Sequence, residues 1–515
     1  MVKGDIVQIL RKWLSIFLFI SIVLEMAFFA SLENFCGCLM TLICWIIFSF
    51  SLKRSVIVRF PFAFLVYLSM LLARYIPLPA TLLEGKPLTY GFEVPYQTFF
   101  YETLMFVFES LAFYLAIMTD SYKNNQLKKI LYRFHFFQTN STALWIMGFL
   151  GLVARLQQMV VANQVEFGDV GSKFIAGFTY FQYAPILILF PSLSGFRVGK
   201  LENKFVLAYS AFIFVLSFAT NSREAMIYPI FTIVLLGFLY VTKYKISIYH
   251  FISPVKIVIV GVVIIFGLSF ISDVSLAMLA TRSVRSDVSR KELFQKTLQT
   301  LQDKQLMDQL RNISLESKSS VSSYSEGWNE NYLDNFMLNR YGNLRVSDQT
   351  IYYANKIGFG NSKMQESFYN KILALFPSPL FSIFGIELDK SEILYSPGDM
   401  LYSLGGGKNA LGGFRVTSLV ADGLTNFGFW CFPILAILLF FSFKLFNCFI
   451  IYKHGKIVYS TLGLITIFSF IGIFRNSIGC NNIVGFLLRS FWQQIFTYGV
   501  MIWLIQKIIN FKKSV

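Results

Sequence analysis

Runs of about 20 apolar residues, the length a helix needs to cross a bilayer, recur along almost the whole of this chain. No water reaches the hydrocarbon to satisfy backbone amides and carbonyls, so each such run is held to helix. The fold class this implies is all-α and polytopic: about 12 transmembrane helices and one long, partly helical external loop. Composition agrees. The chain is 55% hydrophobic and 14% charged, where a soluble domain carries roughly a quarter charged residues. A soluble enzyme and a disordered chain are both excluded.

The expected spans are 13–31, 35–52, 58–77, 98–119, 139–161, 174–193, 204–220, 225–241, 255–272, 424–443, 457–475 and 484–506. No small-x-small cleavage site follows the first apolar run (Phe28-Phe29-Ala30-Ser31), so that run reads as a retained anchor. Three regions follow: nine N-terminal spans in 1–272, a large loop in 273–423, and three C-terminal spans in 424–515. The segments between spans alternate in basicity. One set carries 22 basic residues, among them Lys128, Lys129, Arg133, Lys243 and Lys507, against three acids, Asp5, Asp120 and Glu202. The short loops of the other set carry only Lys86, Lys173, Arg223 and Arg475. By the positive-inside rule the first set faces the cytoplasm, and both termini are inside. The formal net charge of +17 is then an orientation signal, and no nucleic-acid partner is implied.

The alternation puts 273–423 outside, in the periplasm of a Gram-negative host. It begins with a helix signature: a capping-box pair, Ser289 and Glu292, then leucines at mostly helical spacing from Leu293 to Leu310. A Ser-rich linker (314–325) leads to a tract with Tyr324, Trp328, Tyr332, Tyr341, Tyr352, Tyr353 and Tyr369. Such rings either stack on sugar faces or pack on one another. The three histidines, His135, His250 and His454, fall on the cytoplasmic side, and none of the six cysteines lies in the long loop. No Cys/His set has zinc spacing, so no metal or other cofactor is expected. Cys36 and Cys480 read as buried free thiols more readily than as a bridge. Gly405-Gly406-Gly407-Lys408-Asn409 fails the phosphate-loop pattern, because Tyr402 and Asn409 replace its first Gly and its Ser/Thr. It reads as a turn.

The cytoplasmic basic residues are 17 Lys and five Arg, but at the outer ends of spans the bias reverses. Arg74, Arg155, Arg223, Arg475 and Arg489 fall there, Arg282 and Arg285 follow the ninth span, and Arg415 precedes the tenth. Arginine at membrane depth is costly and faces a partner or a polar cavity. Its planar fork suits phosphate. For any one of them, snorkelling or a local carboxylate is the stronger explanation; for the set, a pyrophosphate at headgroup level is. Glu102 and Glu109 are seven apart, on one face of the fourth span, and with Glu25 are read as partners for arginines. Asp422, at the foot of the tenth span, and Glu224, beside Arg223, are better placed for acid–base work at the outer face.

Two stretches resemble a known family. Thr220-Asn221-Ser222-Arg223 is similar to the Ser-Arg found at that bend in Wzy-type O-antigen polymerases, which join oligosaccharide repeat units. Gly412 to Gly428 (GGFRVTSLVADGLTNFG) resembles the family's stretch of an acidic residue followed by Asn-Phe-Gly, with Asp422 where many members carry Glu. The layout of many spans with one long outer loop matches along the whole chain. The resemblance implies a metal-independent glycosyltransferase of the bacterial inner membrane that transfers a growing glycan en bloc from undecaprenyl pyrophosphate onto a new lipid-linked repeat. Its partners would be that lipid-linked oligosaccharide, membrane lipid and a chain-length regulator protein. Arg223, Arg475 and Arg415, then Arg282 and Arg285, would hold the pyrophosphate; Asp422, with Glu224 in reserve, would be the base. The rival readings are a lipid-linked oligosaccharide flippase, which is expected to lack the long outer loop, and an O-antigen ligase, which is expected to use an outer-face His.

Overall fold

The computed structural model describes residues 5–120, 125–161, 174–196, 202–219, 223–246, 273–274, 276–278, 280–281, 290–310, 323–376, 388–390, 392–408, 410–453, 455–474 and 479–514. These are overwhelmingly helical. Among the described residues, five helices are long and apolar enough to cross a membrane: Ile6–Phe28, Leu32–Ser49, Pro95–Met118, Ile227–Tyr244 and Leu419–Phe449 with its internal break. A bent pair, Pro61–Tyr75 and Pro77–Leu83, makes a sixth if taken as one span. Their outward faces are themselves apolar. Phe19, Phe28, Phe100 and Phe441 are all more than half exposed, an arrangement that suits lipid and not water.

Several expected spans are broken where the backbone demands it. The third bends by 43° at Pro77, which has no amide to continue the hydrogen-bond ladder; the Thr41 hydroxyl donates to the Arg74 carbonyl beside the bend. The sixth is wound as a 3₁₀ helix over Thr179–Leu189, with Pro185 inside it. The tenth starts earlier than expected, as Leu419–Phe427, and stops at Gly428, whose φ of +56° strongly favours glycine; Cys431–Phe446 then continues. The eleventh does not begin at 457. Ile450–Lys453 and Lys456–Tyr459 pair as an antiparallel hairpin, and helix resumes at Thr461, capped by Ser460. The twelfth passes through a π-helical turn, Phe486–Ser490, before Phe491–Ser514. The ninth expected span, the Ser289 cap and most of the Ser-rich linker lie outside the described residues.

Inside the bundle, Arg74 is completely buried between two carboxylates. Its Nε is 3.0 Å from Glu102 and its Nη1 2.8 Å from Glu109. The expectation that these glutamates serve arginines holds for both, whereas Glu25 accepts from the Leu88 amide. The guanidinium lies over the Phe106 ring, and Phe106 and Phe113 stack on the two sides of Tyr67. Thus the Pro61–Tyr75 and Pro95–Met118 helices are joined by charge and by rings at one level.

Residues 323–357 dock on the ends of these helices. Helix Arg345–Ile357 places Ser347 against Glu102 (2.6 Å) and Asp348 against the start of Pro95–Met118. Arg345 is buried and donates to the carbonyls of Gly91 and Asn331. Gly91 has φ +73°, and a Cβ there would sit 2.9 Å from the guanidinium, so only glycine fits. Glu84 accepts from the amides of Asp334 and Asn335, and Lys86 pairs with Asp334. Segments 84–94 and 323–357, which the charge pattern assigns to one side, therefore touch. On the other side Arg54 donates to the carbonyls of Thr242 and Lys243.

Breaking a buried ion pair leaves a charge without its partner, at about 3–5 kcal/mol. Arg74→Met is expected to lower the unfolding midpoint of the detergent-purified protein accordingly. A midpoint equal to wild type would mean that the triad does not hold the bundle.

Candidate functional site

Asp422 is the sequence-predicted acid whose surroundings are fully visible. Ser418 caps the Leu419–Phe427 helix through the Ala421 amide, which sets Asp422 one turn in, 2% exposed. Its Oδ2 accepts from the amide of Cys480 (2.6 Å), the first residue of the Cys480–Gly485 helix, and its Oδ1 from Asn426 Nδ2 (3.1 Å). A helix N-terminus favours such a negative group. Gly479 allows the approach, since a Cβ there would come within 3.1 Å of Oδ2 and 2.9 Å of Pro397.

Opposite lies the Ser362–Leu373 helix, started by the Asn361 side chain accepting from the Lys363 and Met364 amides. It is tied to the end of Leu419–Phe427 by Asn361 N to Thr425 O (2.7 Å), Gly360 N to Leu424 O (3.0 Å) and Gln365 Nε2 to Asn426 O (2.8 Å). The face it presents is Met364, Ser367, Phe368 and Lys371, at i, i+3, i+4 and i+7. With Pro397, Asp422, Asn426 and Asn481, these residues line a narrow cleft with room for little more than a water-sized group. Lys371 Nζ donates to the carbonyls of Ile393 and Tyr395 and sits 4.1 Å over the Tyr395 ring. Burial pulls its ammonium below the usual lysine value, with Asp422 and Asp399 acting in the opposite sense. A carboxylate, an ammonium, a hydroxyl and two amides thus meet at the head of an apolar helix. The set can take a proton from, and orient, a small polar group.

The other expected site residues fare differently. Arg415 is engaged: its Nη1 pairs with Asp399 (3.1 Å) and donates to Ala410 O, and its guanidinium lies over Tyr402. Asp399 closes a capping box with Ser396. Burial would raise its pKa, but amides of Arg415, Ser396 and Phe414 outweigh this and hold it below the ordinary value. Arg223 and Glu224 begin the Arg223–Tyr244 helix, but their side chains, like Arg282, Arg285 and Arg475 entirely, lie outside the described residues. Of the remaining arginines, Arg155 is buried and donates to Gln182 and Ser217, and Arg489 is exposed in the π-helical turn. The aromatic tract packs on itself: Trp328 stacks on Tyr353 at 5.7 Å, with Tyr402 edge-on to both. The glycine run is a turn, with Gly406 at φ +99°. Cys36 and Cys480 are free thiols, Cys480 buried and Cys36 partly so, and no group of metal-ligating side chains occurs among the described residues.

Lys371 and Asn481 carried no sequence signal, one a lone lysine in a polar loop, the other an amide beside a span. Asp348 was likewise unmarked. It acts in trans as a cap for the Pro95–Met118 helix, accepting from the amides of Glu93 (2.7 Å) and Val94 (3.2 Å) and from Thr98 Oγ1 (2.9 Å). Burial pushes its pKa up from 3.8 to about 6, against those hydrogen bonds and one with Tyr324. A carboxyl whose pKa rises on folding binds protons in the docked state, so docking is favoured at low pH and that share is lost as pH rises from 3.8 to about 6. Amide exchange at Glu93 and Val94 is expected to speed up across that window beyond its intrinsic pH dependence. In Asp348→Asn the excess should vanish; if it persists, another group drives it.

Set against protein-family models, curated proteins and solved structures, the chain shows no match.

Proposed function

We propose that this chain is a polytopic glycosyltransferase of the bacterial inner membrane, with about 12 spans and both termini cytoplasmic, that polymerises undecaprenyl-pyrophosphate-linked saccharide repeats at the outer face. The observation that carries the reading is the buried Asp422 at the head of an apolar helix, lining a cleft together with Lys371, at the place where the acidic residue of the family-like stretch falls. In this reading Asp422 takes the proton of an acceptor hydroxyl on the new repeat. The hydroxyl oxygen bonds to the anomeric carbon of the growing glycan while that carbon's bond to the pyrophosphate oxygen breaks. The pyrophosphate leaves with its lipid. Arg223, Arg475, Arg415, Arg282 and Arg285 are the groups assigned to its developing charge. The donor arrives already activated, so the reaction calls for neither a metal nor a nucleotide. A chain-length regulator is the protein partner such a reaction implies.

The test is the surface-polysaccharide gel of a deletion strain complemented by wild type or by Asp422→Asn, with both proteins at equal membrane levels. Removing a general base costs about 10²–10⁴-fold in rate. Wild type should restore the ladder, and the variant should leave lipid A-core carrying a single repeat. Loss of all surface repeats in the deletion strain would point to flipping or ligation instead.

A further inference from the structure

The cleft holds two amide oxygens with no hydrogen-bond partner among the described residues, Asn426 Oδ1 and Asn481 Oδ1. Asn426 is 1% exposed, and a buried acceptor left unsatisfied costs about 1–3 kcal/mol. Its orientation is not interchangeable. Nδ2 donates to the Asp422 carbonyl (2.7 Å) and to the Asp422 carboxylate (3.1 Å). Reversing the amide would set oxygen against two oxygens. Asp422 therefore turns Asn426 Oδ1 away from itself, and Asn426 lines the cleft together with Asn481. The acceptors offered there are two amide oxygens and a carboxylate, and the donors beside them are the Ser367 hydroxyl and the Lys371 ammonium.

Charge in the cleft is balanced. Lys371 brings one positive charge and Asp422 one negative, and the nearby Asp399 already has Arg415. Lys371 spends donors on two backbone carbonyls. A phosphate or pyrophosphate would bring negative charge to a place without net positive charge and would face three oxygen acceptors. A neutral ligand with adjacent hydroxyl donors fits on both counts. The innermost space admits little more than a water-sized group, so the ligand enters edge first, by a hydroxyl, and its ring stays outside.

We propose that this cleft is a hydroxyl-reading subsite for a neutral sugar edge, with Asn426 and Asn481 accepting from hydroxyls next to the one that faces Asp422, and that pyrophosphate binds elsewhere. The assignment of that sugar to the acceptor repeat rests on the polymerase reading. Asn426 and Asn481 touch the sugar in this assignment but take no proton from it.

The experiment uses the full chain in phosphatidylcholine nanodiscs, whose headgroup has no hydroxyl. The probes are the repeat oligosaccharide, released by mild acid from the producing cell's own surface glycan, and inorganic pyrophosphate. Asn481→Ala and Asn426→Leu are each expected to weaken oligosaccharide binding about tenfold or more, the size of one lost buried hydrogen bond. Pyrophosphate should neither displace the oligosaccharide nor bind differently to the variants. Unchanged oligosaccharide binding in Asn481→Ala, which lies at the cleft margin and should fold even if Asn426→Leu does not, overturns the proposal and leaves a resident water as the occupant. Displacement by pyrophosphate, or by phosphatidylglycerol built into the disc, also overturns it. The deletion-strain ladder separates the two ideas. A ladder that survives deletion defeats the polymerase reading, while loss of binding in the variants still establishes the sugar subsite.

Discussion

A guanidinium shared by two carboxylates in an apolar interior is the constraint around which this protein is arranged. Arg74, Glu102 and Glu109 are all buried, and each alone would be costly at membrane depth. Together they fix the rotation and depth of two helices, because a bidentate fork tolerates little sliding. Glu102 also accepts from Ser347, so the same network reaches beyond these two helices to the helix Arg345–Ile357. Thr350 on that helix meets Ser418, the cap of Leu419–Phe427, and Asp422 lies one turn further on. The position of the candidate acid is thus set through a continuous run of hydrogen bonds that begins at Arg74.

Residues 323–357 are less an appendage than a wedge. They satisfy the amides of Glu93 and Val94, just ahead of the Pro95–Met118 helix, with Asp348, read the glycine at position 91 with Arg345, and join Lys86 through Asp334. Their own small core is aromatic, built on Tyr324, Tyr353 and Trp328. Rings supply large buried area with few rotatable bonds, which suits a segment whose described helices are all short.

What the sequence disclosed follows from which forces act over short range. Apolar runs are local, and they marked the long helices Ile6–Phe28, Leu32–Ser49, Pro95–Met118 and Ile227–Tyr244 directly. Glu102 and Glu109 were legible as arginine partners because two acids at helical spacing inside a span have few alternatives. Asp422 stood out as an acid at the foot of a span. The breaks were harder. Pro77, Pro185 and Gly428 are visible as residues, but apolarity around them reads as unbroken helix, and only packing decides how far the chain bends. Lys371 belongs to the cleft through the contact of Ser362–Leu373 with Leu419–Phe427, which no local pattern encodes. Arg415 was legible as an arginine just ahead of a span, but its pairing with Asp399, sixteen residues back, comes from the fold of the loop and not from any local pattern.

The Arg74 triad also bears on how the chain enters the membrane. Helix Pro61–Tyr75 leaves the ribosome before Pro95–Met118 and carries an arginine with no partner yet made. Alone it would partition less readily, since an unpaired arginine within a membrane segment is costly. The second helix, with two acids, has the complementary fault. Each becomes a good lipid-facing element only beside the other. The two are therefore expected to leave the translocation channel as a hairpin, joined by the 84–94 loop, and not one after the other. The charge that organises the finished protein would then act earlier, as the signal that holds one segment back until its counterpart has been made.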